Sequence, residues 1–236
     1  MAVRTYGDKI VGMAIKRTYD DSCAAAHALD LVGERWALLV VRELLLGPKR
    51  FTDLRAGLPH VSPNVLSQRL RELESAGVVR RRKLPPPAAP RIYELTEWGE
   101  GLEPVVISLG RWGARSPWRP RDAGLSTDSL ILSFRTMFDE RAAEGFVASY
   151  ELRLGEDRFR AVVDGGRFKV ERGGADSPDA IIETNPATLA ALIYEGCSLA
   201  GALRSGEVKL EGDGQAVARF LGFFSLPEPV EPAVGA

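Results

Sequence analysis

The chain has 236 residues, a formal net charge of −1 and two cysteines. Its hydrophobic content of 45% and charged content of 27% are ordinary for a folded globular protein and argue against disorder. Two cysteines exclude a disulfide framework, and the longest purely apolar run, Trp36–Val41, is far shorter than the roughly 20 residues of a membrane span. We expect one large or two small domains in a reducing compartment, the cytoplasm, without membrane insertion.

Charge is distributed unevenly along the chain. Residues 1–121 contain 20 Lys and Arg against 13 Asp and Glu, a net charge of +7. Residues 122–236 contain 11 against 19, a net charge of −8. This asymmetry predicts two units with different partners, and a basic unit favours a polyanion such as DNA.

Capping signals and apolar spacing predict the first helices. Ser22 is expected to cap a helix that ends at Gly33, and a second helix is expected over Glu34–Leu46. Thr52 is expected to cap a short third helix that runs through Ala56.

The fourth helix, Pro63–Ala76, has the strongest start signal. Ser62 offers a side-chain acceptor at the N-cap, and Pro63 needs no N–H at the first helical position. One face is apolar, and the other face carries Asn64, Ser67, Gln68 and Arg71. A short helix, a turn and such a polar helix are typical of a helix-turn-helix, whose second helix contacts base edges in the major groove. A solvated polar face is the alternative.

A cationic hairpin is predicted after this helix. A strand begins at Val78, and Arg80–Lys83 are four consecutive cations. The proline-rich stretch Pro85–Pro90 follows, and alternation over Arg91–Leu95 predicts a returning strand. Such a wing would lie along phosphates and supply affinity without sequence information. A solvated charge run is the alternative, less favoured directly after a candidate recognition helix.

These segments resemble the HxlR family of bacterial winged helix-turn-helix regulators. The matching stretches are Leu29–Trp36, Gly47–Leu54, Ser67–Leu73 and Tyr93–Gly99, in the family's order and spacing across about residues 22–115. The resemblance implies a dimeric transcription factor that contacts bases through the helix over residues 62–76 and the backbone through the hairpin. It also implies a dimer contact made by the helix from Cys23 and by a helix over Thr96–Trp112, which Pro104 is expected to bend. The expected DNA contacts are Arg50, Thr52, Ser62, Asn64, Ser67, Gln68, Arg69, Arg71, Arg81, Lys83 and Arg91.

The second half shows an α+β pattern rather than βαβ repeats. Helices are predicted over Asp128–Ala142, Pro186–Tyr194, Leu199–Arg204 and Gln215–Phe224, and strands over Val147–Leu154, Arg158–Val163, Arg167–Glu171, Ala180–Glu183 and Val208–Glu211. Over about residues 126–226 this half resembles the sterol-carrier-protein type 2-like domain, through Asp164-Gly165, Asn185–Leu192 with Gly196, and Gly206–Asp213. The resemblance implies a five-stranded sheet with helices around an apolar tunnel for lipid-like molecules. The candidate ligand contacts are Phe134, Phe138, Phe146, Leu189, Leu192, Ile193, Phe220 and Phe223, although such residues are more often simple core.

The predicted fold class is therefore α+β, in two domains. A mainly α-helical winged helix-turn-helix domain with a β-hairpin wing is expected over residues 22–115, after an extension over 1–21. A linker over 116–125 leads to the sheet domain over 126–226, and 227–236 form a tail.

Catalytic, cofactor and metal motifs are missing or incomplete. Gly212–Val217 lacks the third glycine of a dinucleotide fingerprint, and Gly196–Ala200 lacks the last glycine of a nucleophile elbow. Cys23 and His27 lie four residues apart, but two ligands do not make a zinc site. We expect no enzyme, no cofactor and no metal.

Cys23 is a candidate redox sensor. Regulators of the HxlR type often carry a cysteine at this place, and in some it senses oxidants. A helix start lowers the pKa of a thiol and His27 would help, whereas Asp20 and Asp21 oppose this. A small, buried apolar cysteine is the alternative.

We predict a sequence-specific regulator that binds double-stranded DNA as a homodimer and is controlled by an apolar or lipid-like ligand in its C-terminal half. The alternative is a lipid carrier or interaction module whose winged-helix domain binds protein. Salt separates the two, because phosphate contacts make DNA affinity fall steeply with salt concentration.

Overall fold

The computed structural model describes residues 18–85, 90–120 and 124–231. The elements of the first half are α1 (Ala24–Val32), α2 (Ala37–Leu44), β1 (Lys49–Arg50), α3 (Phe51–Gly57), α4 (Pro63–Ser75), β2 (Val79–Lys83), β3 (Arg91–Leu95), α5 (Glu97–Glu100) and α6 (Glu103–Ala114). Those of the second half are α7 (Thr127–Met137), β4 (Val147–Leu154), β5 (Asp157–Asp164), β6 (Arg167–Arg172), β7 (Ala180–Thr184), α8 (Pro186–Tyr194), α9 (Leu199–Ser205), β8 (Lys209–Gly212) and α10 (Gly214–Leu221).

Two sheets organise the chain. The wing sheet is antiparallel and has the strand order β1-β3-β2. The larger sheet has the order β6-β5-β4-β7-β8, in which β4 and β7 are parallel and the other neighbours antiparallel. The predicted α+β class and the predicted wing hairpin are confirmed. The short strand β1, which the sequence did not predict, adds a third strand to the wing.

Two predicted helix caps are wrong, and in each case the backbone N–H of the observed N-cap donates to a nearby carboxylate. Cys23 rather than Ser22 is the N-cap of α1, and its N–H donates to Asp21 Oδ1 at 2.9 Å. Arg50 replaces Thr52 as the N-cap of α3, because its N–H donates to the carboxylate of the third helical residue, Asp53, at 3.0 Å. The helix α4 begins as predicted, with the Ser62 hydroxyl accepting from a backbone N–H in the first turn.

The predicted single helix over Thr96–Trp112 is in fact two helices. Thr96 caps α5, where its Oγ1 accepts from the Gly99 N–H at 3.1 Å. The chain then turns and α6 begins, with Pro104 in its first turn. The prediction of a bend at Pro104 is wrong, because a first-turn proline lacks only an N–H that has no helical partner.

In the second half every predicted element is present, most of them with shifted ends. The strand Val147–Leu154 and the helix Pro186–Tyr194 have their predicted bounds. The helix α7 stops at Met137 because Phe138 is extended. The helix α10 stops at Leu221 with Gly222 as its C-cap, and Phe224 then pairs with Phe138 across an isolated β-bridge. Alternate residues of β4 point into the core, where they pack against the aromatic side chains of α7 and α10.

The helix α7 lies between the two halves and is buried around most of its circumference. Leu46, just after α2, is buried within the core of the second half. On α6, the Arg111 guanidinium donates to the Thr136 carbonyl at 2.8 Å, and Glu103 pairs with Arg135 at 2.6 Å. The second half therefore packs directly against α2 and α6 of the first.

A buried group of charges lies at this contact. The Glu43 side chain is fully buried and accepts from Lys49 Nζ at 2.8 Å, from Arg42 at 2.9 Å and from Ser126 Oγ at 2.7 Å. Burial opposes ionisation of Glu43, but the Lys49 ammonium and the other donors hold the pKa of its carboxyl below its ordinary value. We call the following residues the junction cluster: Arg42, Glu43, Lys49, Ser126, Asp128, Ser129 and Arg172.

Gly57, at the end of α3, touches this cluster. A Cβ at Gly57 would overlap the carboxylate of Glu43, which its donors hold in place. We expect Gly57→Ala to lower the free energy of unfolding by about 1–3 kcal/mol, the usual cost of overpacking a filled interior. Gly201→Ala in α9 is the control, because its nearest neighbour, Ser198 Cβ, would lie at an ordinary 3.6 Å. Urea unfolding measures both variants, and a Gly57→Ala protein as stable as the control would contradict the rigid placement of Glu43.

Candidate nucleic-acid interface

The helix α4 presents a polar face to solvent. Its leucines Leu66, Leu70 and Leu73 are buried against the first half's core. Asn64, Gln68 and Arg71 are exposed, and their spacing of four and three residues places them on one face. Ser62 is exposed at the start of this helix, and Ser67 is half-buried. The structure therefore brings five of the predicted DNA contacts together on one element.

Gln68 has an internal partner on this face. Its side-chain amide donates to Glu72 Oε1 at 2.9 Å, one turn further along α4. One N–H of the amide is occupied in this way, and the second N–H and the carbonyl oxygen remain free of partners among the residues that the structure describes. The carbonyl oxygen and the second N–H match an adenine edge, so contact of Gln68 with a base does not require loss of the Glu72 hydrogen bond.

Arg69 does not belong to the exposed face, which corrects its assignment as a DNA contact. Its side chain is only 8% exposed and lies 2.5 Å from Glu72 and 3.7 Å from Glu34. The ion pair with Glu34 ties the recognition helix to the turn between α1 and α2. The sequence contained this signal, since Arg69 follows Leu66 by three residues and precedes Leu73 by four, a spacing that faces the core.

The wing carries its cations on two faces. Arg81 lies opposite Tyr93, and Lys83 lies opposite Arg91. Because alternate residues of a strand point to opposite sides, Arg81, Lys83 and Arg91 share one face. All three are exposed. The backbone N–H of Leu84 donates to the Pro90 carbonyl at 3.0 Å and continues the hairpin beyond the strands. The prolines and alanines over 86–89 lie outside the described residues.

Glu94 holds the cations of the other face, and sequence reasoning missed it. Arg80 Nε donates to its carboxylate at 2.7 Å, and an Arg82 amino group donates at 2.9 Å. Hydrogen bonds from Arg82 and Arg80 hold the pKa of the Glu94 carboxyl below its ordinary value. Pairing Arg80 with Glu94 across an antiparallel hairpin would have revealed the contact once the register was assumed.

Arg50 and Thr52 lie beside the wing at the start of α3. Both are exposed, and Arg50 lies opposite Ile92 in the wing sheet. The Thr52 hydroxyl donates to Asp53 at 3.2 Å. The structure thus places the two residues at one edge of the wing rather than on the recognition helix.

The helix α6 exposes an apolar stripe. Val105 and Leu109 are each 49% exposed, and Trp112 is 75% exposed, at spacings of four and three residues. Leu29 on α1 and Trp98 on α5 are also exposed. The opposite side of α6 packs against α7, where Gly110 lies close to Thr136. The helices α1, α5 and α6, to which the family resemblance assigns the dimer contact, therefore expose large apolar side chains to solvent.

The candidate ligand residues all lie in the core of the second half. Phe134, Leu189 and Phe220 are fully buried, and Phe138 and Ile193 are partly buried beside them; the remaining candidates are Phe146, Leu192 and Phe223. The candidate rings contact other aromatic rings of the core: the ring centroids of Phe134 and Phe224 are 4.8 Å apart, and those of Phe220 and Tyr150 are 4.5 Å apart. A ligand in this region would have to displace rings that now touch.

Cys23 is exposed at the N-cap of α1, which contradicts the alternative of a buried apolar cysteine. The backbone N–H groups of Ala26 and Ala25, in the first turn of α1, lower the pKa of the Cys23 thiol from its ordinary value. His27, one turn along α1, is exposed as well. Cys197, on the loop between α8 and α9, is also exposed and free.

Among the residues that the structure describes, no helix is long and apolar enough to cross a membrane.

Known families match both halves. The HxlR-like helix-turn-helix family matches residues 31–120, and the SCP-2 sterol transfer family matches residues 139–225. The HTH-type transcriptional regulator YvaP of Bacillus subtilis (strain 168) is 41% identical over 85 residues, which are 36% of this chain and 79% of YvaP. The HTH-type transcriptional regulator YodB of the same organism is 39% identical over 85 residues, 36% of this chain and 76% of YodB. The solved structure of diamide-treated YodB is 37% identical, covers 39% of this chain and 91% of that one, and has a TM-score of 0.35.

The match to YvaP is specific, because it covers more than three quarters of that protein's length. The second family match begins just after α7, within the five-stranded sheet domain. On this basis the chain belongs to the HxlR-like helix-turn-helix family and carries an SCP-2 sterol transfer domain in its second half.

Proposed function

We propose that this protein is a transcriptional regulator that binds specific sequences in double-stranded DNA as a homodimer, and that it is not an enzyme. The observation that carries the proposal is the exposed row of Asn64, Gln68 and Arg71 on α4, directly followed by the cationic wing. Amide and guanidinium groups match the donors and acceptors of base edges in the major groove. The names of the related regulators YvaP and YodB support the same function.

The two elements have different roles in this proposal. The helix α4 enters the major groove and selects sequence, whereas Arg81, Lys83 and Arg91 on one wing face contact phosphates. Arg50 and Thr52, which lie at the start of α3, contact the phosphate backbone of the DNA. The acidic second half, with its net charge of −8, faces away from the DNA, because its proximity would oppose phosphate binding.

A second copy of this chain covers the apolar stripe of α6. Large apolar groups at regular helical spacing are typical of an association surface. Two copies joined here would present two α4 helices, and DNA-binding dimers of this kind contact half-sites about one helical turn apart.

The wing assignment makes a salt-dependent prediction. Replacing Arg81 and Lys83 together by Gln should weaken specific and non-specific DNA binding alike, because phosphate contacts carry no sequence information. The slope of log affinity against log salt concentration should flatten by about one unit for each lost contact. Fluorescence anisotropy over a range of salt concentrations measures both quantities.

The matched control replaces Arg160 and Lys169, exposed cations that pair with Glu171 on the sheet of the second half. This change removes the same formal charge far from the proposed interface and should leave the slope unaltered. Equal losses in both double variants would show only a net-charge effect and would refute the wing assignment. A parent protein whose binding is insensitive to salt would favour the protein-binding alternative.

Two arginines on α4 should behave in opposite ways. Arg71→Ala should relax preference at one base pair by about 1–3 kcal/mol and leave the free energy of unfolding unchanged. Arg69→Ala should lower the free energy of unfolding by about 1–2 kcal/mol, less than a fully buried pair because Glu72 and Glu34 are partly exposed. Thermal unfolding and binding to single-base operator variants distinguish the two. Identical behaviour of the variants would show that the assigned faces of α4 are wrong.

Cys23 is proposed as an oxidant sensor because of its exposed position and lowered thiol pKa. Treatment with diamide should change the DNA affinity of the parent protein and leave Cys23→Ser unaffected. Cys197→Ser is the matched control and should respond as the parent does. A response that survives in Cys23→Ser would assign the sensitivity elsewhere.

Control by an apolar ligand is proposed from the SCP-2 match together with the aromatic core of the second half. Each buried methylene contributes about 0.8 kcal/mol, so a medium-length acyl chain could offset the displacement of a ring. Titration of the full chain with a fluorescent fatty acid should give saturable uptake, and Phe223→Trp should weaken it by crowding the same space. Non-saturable uptake, equal in both proteins, would mean that these rings only fill a core.

A further inference from the structure

The Lys49 ammonium is shared between two buried carboxylates, one from each half of the chain. It lies 2.8 Å from Glu43 Oε2 on α2 and 2.6 Å from Asp128 Oδ2 on α7. The Glu43 side chain is fully buried and the Asp128 side chain is 2% exposed. Removal of one partner from such a group leaves an uncompensated charge in the interior. Asp128 also lies between the two family matches, so neither of them covers it.

Lys49 belongs to the DNA-binding side of the molecule. It forms β1 with Arg50, opposite Tyr93 and Ile92 of β3. Arg50 is also the N-cap of α3, the first helix of the helix-turn-helix. A displacement of Lys49 therefore shifts both an edge of the wing and the start of α3.

Asp128 belongs to the other half. Besides Lys49, its carboxylate binds Arg172 on β6. Two residues earlier on this strand, the Val170 carbonyl accepts from Arg135 of α7. Further along β6, Phe168 stacks on Phe138 within the aromatic core, with centroids 5.2 Å apart. A continuous set of packed and charged groups thus joins the aromatic core to β1.

We propose that Asp128 is a positioning residue for DNA binding, through which the second half holds Lys49, β1 and the start of α3 in the arrangement that binds DNA. This inference rests on the DNA-binding function proposed above. It assigns to the SCP-2 half a direct part in DNA affinity, and it gives a change in the aromatic core a route to the wing.

The sign of the effect separates positioning from simple electrostatics. Asp128→Asn removes a negative charge, and long-range attraction to phosphates would then increase DNA affinity. Positioning requires the opposite result, because a neutral amide lacks the Coulomb attraction that the Asp128 carboxylate has for the Lys49 ammonium. We expect Asp128→Asn to bind operator DNA about tenfold more weakly than the parent protein. The control is Asp164→Asn, which removes an exposed carboxylate of the same half and should bind as tightly as the parent or slightly more tightly.

Hydrogen exchange supplies a readout that does not need DNA. In Asp128→Asn the amide of Tyr93, which faces β1, should exchange faster by about tenfold, while those of Ala161 and Val163 inside β5 keep their protection. Faster exchange to the same extent in β3 and β5 would indicate general destabilisation and would overturn the positioning role.

A double-mutant cycle tests the route through Lys49. If Asp128 acts through this ammonium, Lys49→Gln with Asp128→Asn should lose no more affinity than Lys49→Gln alone. Additive losses, or an Asp128→Asn protein that binds DNA as the control does, would overturn the proposal.

Should Asp128→Asn fail to fold, Arg172→Gln weakens the same group from the other side and must give the loss of affinity and the faster exchange in β3. A parent protein that binds no DNA would refute the proposed function instead, while the exchange measurement would still decide the coupling.

Discussion

A lysine held between two buried carboxylates joins the halves of this protein. Taking Glu43, Lys49 and Asp128 out of water is costly, and the cost is offset only because each charge has a close partner. Loss of the shared cation from a buried group of this kind typically costs about 3–5 kcal/mol, a large part of the 5–15 kcal/mol by which proteins are stable. The junction cluster therefore fixes the position of the second half on the first, and the packing of Leu46 and α7 follows from that position.

In this arrangement α6 and α7 lie between the two proposed activities, DNA binding by the first half and ligand binding by the second. One side of α6 packs on α7 through Arg111 and Glu103, and the other side exposes the stripe ending at Trp112. A helix that contacts the ligand domain on one side and a second copy on the other would transmit a change in either. A ligand could bias DNA binding only through different affinities for two arrangements, and α6 and the junction cluster are the contacts at which such arrangements would differ.

Local signals in the sequence were sufficient for most elements. Ser62-Pro63 specified the start of the recognition helix, and alternation gave β4 with its observed bounds, because both signals depend only on neighbouring residues. The position of Arg69 was also available from helical spacing. The junction cluster was not, since Glu43 and Asp128 are 85 residues apart and each sits in an unremarkable local pattern. The strand β1 was missed for a related reason: two residues form it only because β3 lies beside them.

Binding of α4 and the wing to a defined DNA sequence can be measured by selecting bound fragments from random duplexes with the full chain, followed by sequencing. We expect enrichment of one pseudo-palindromic sequence with half-site centres about 34–36 Å apart, one helical turn of DNA. Recovery of fragments with no shared sequence would contradict this expectation.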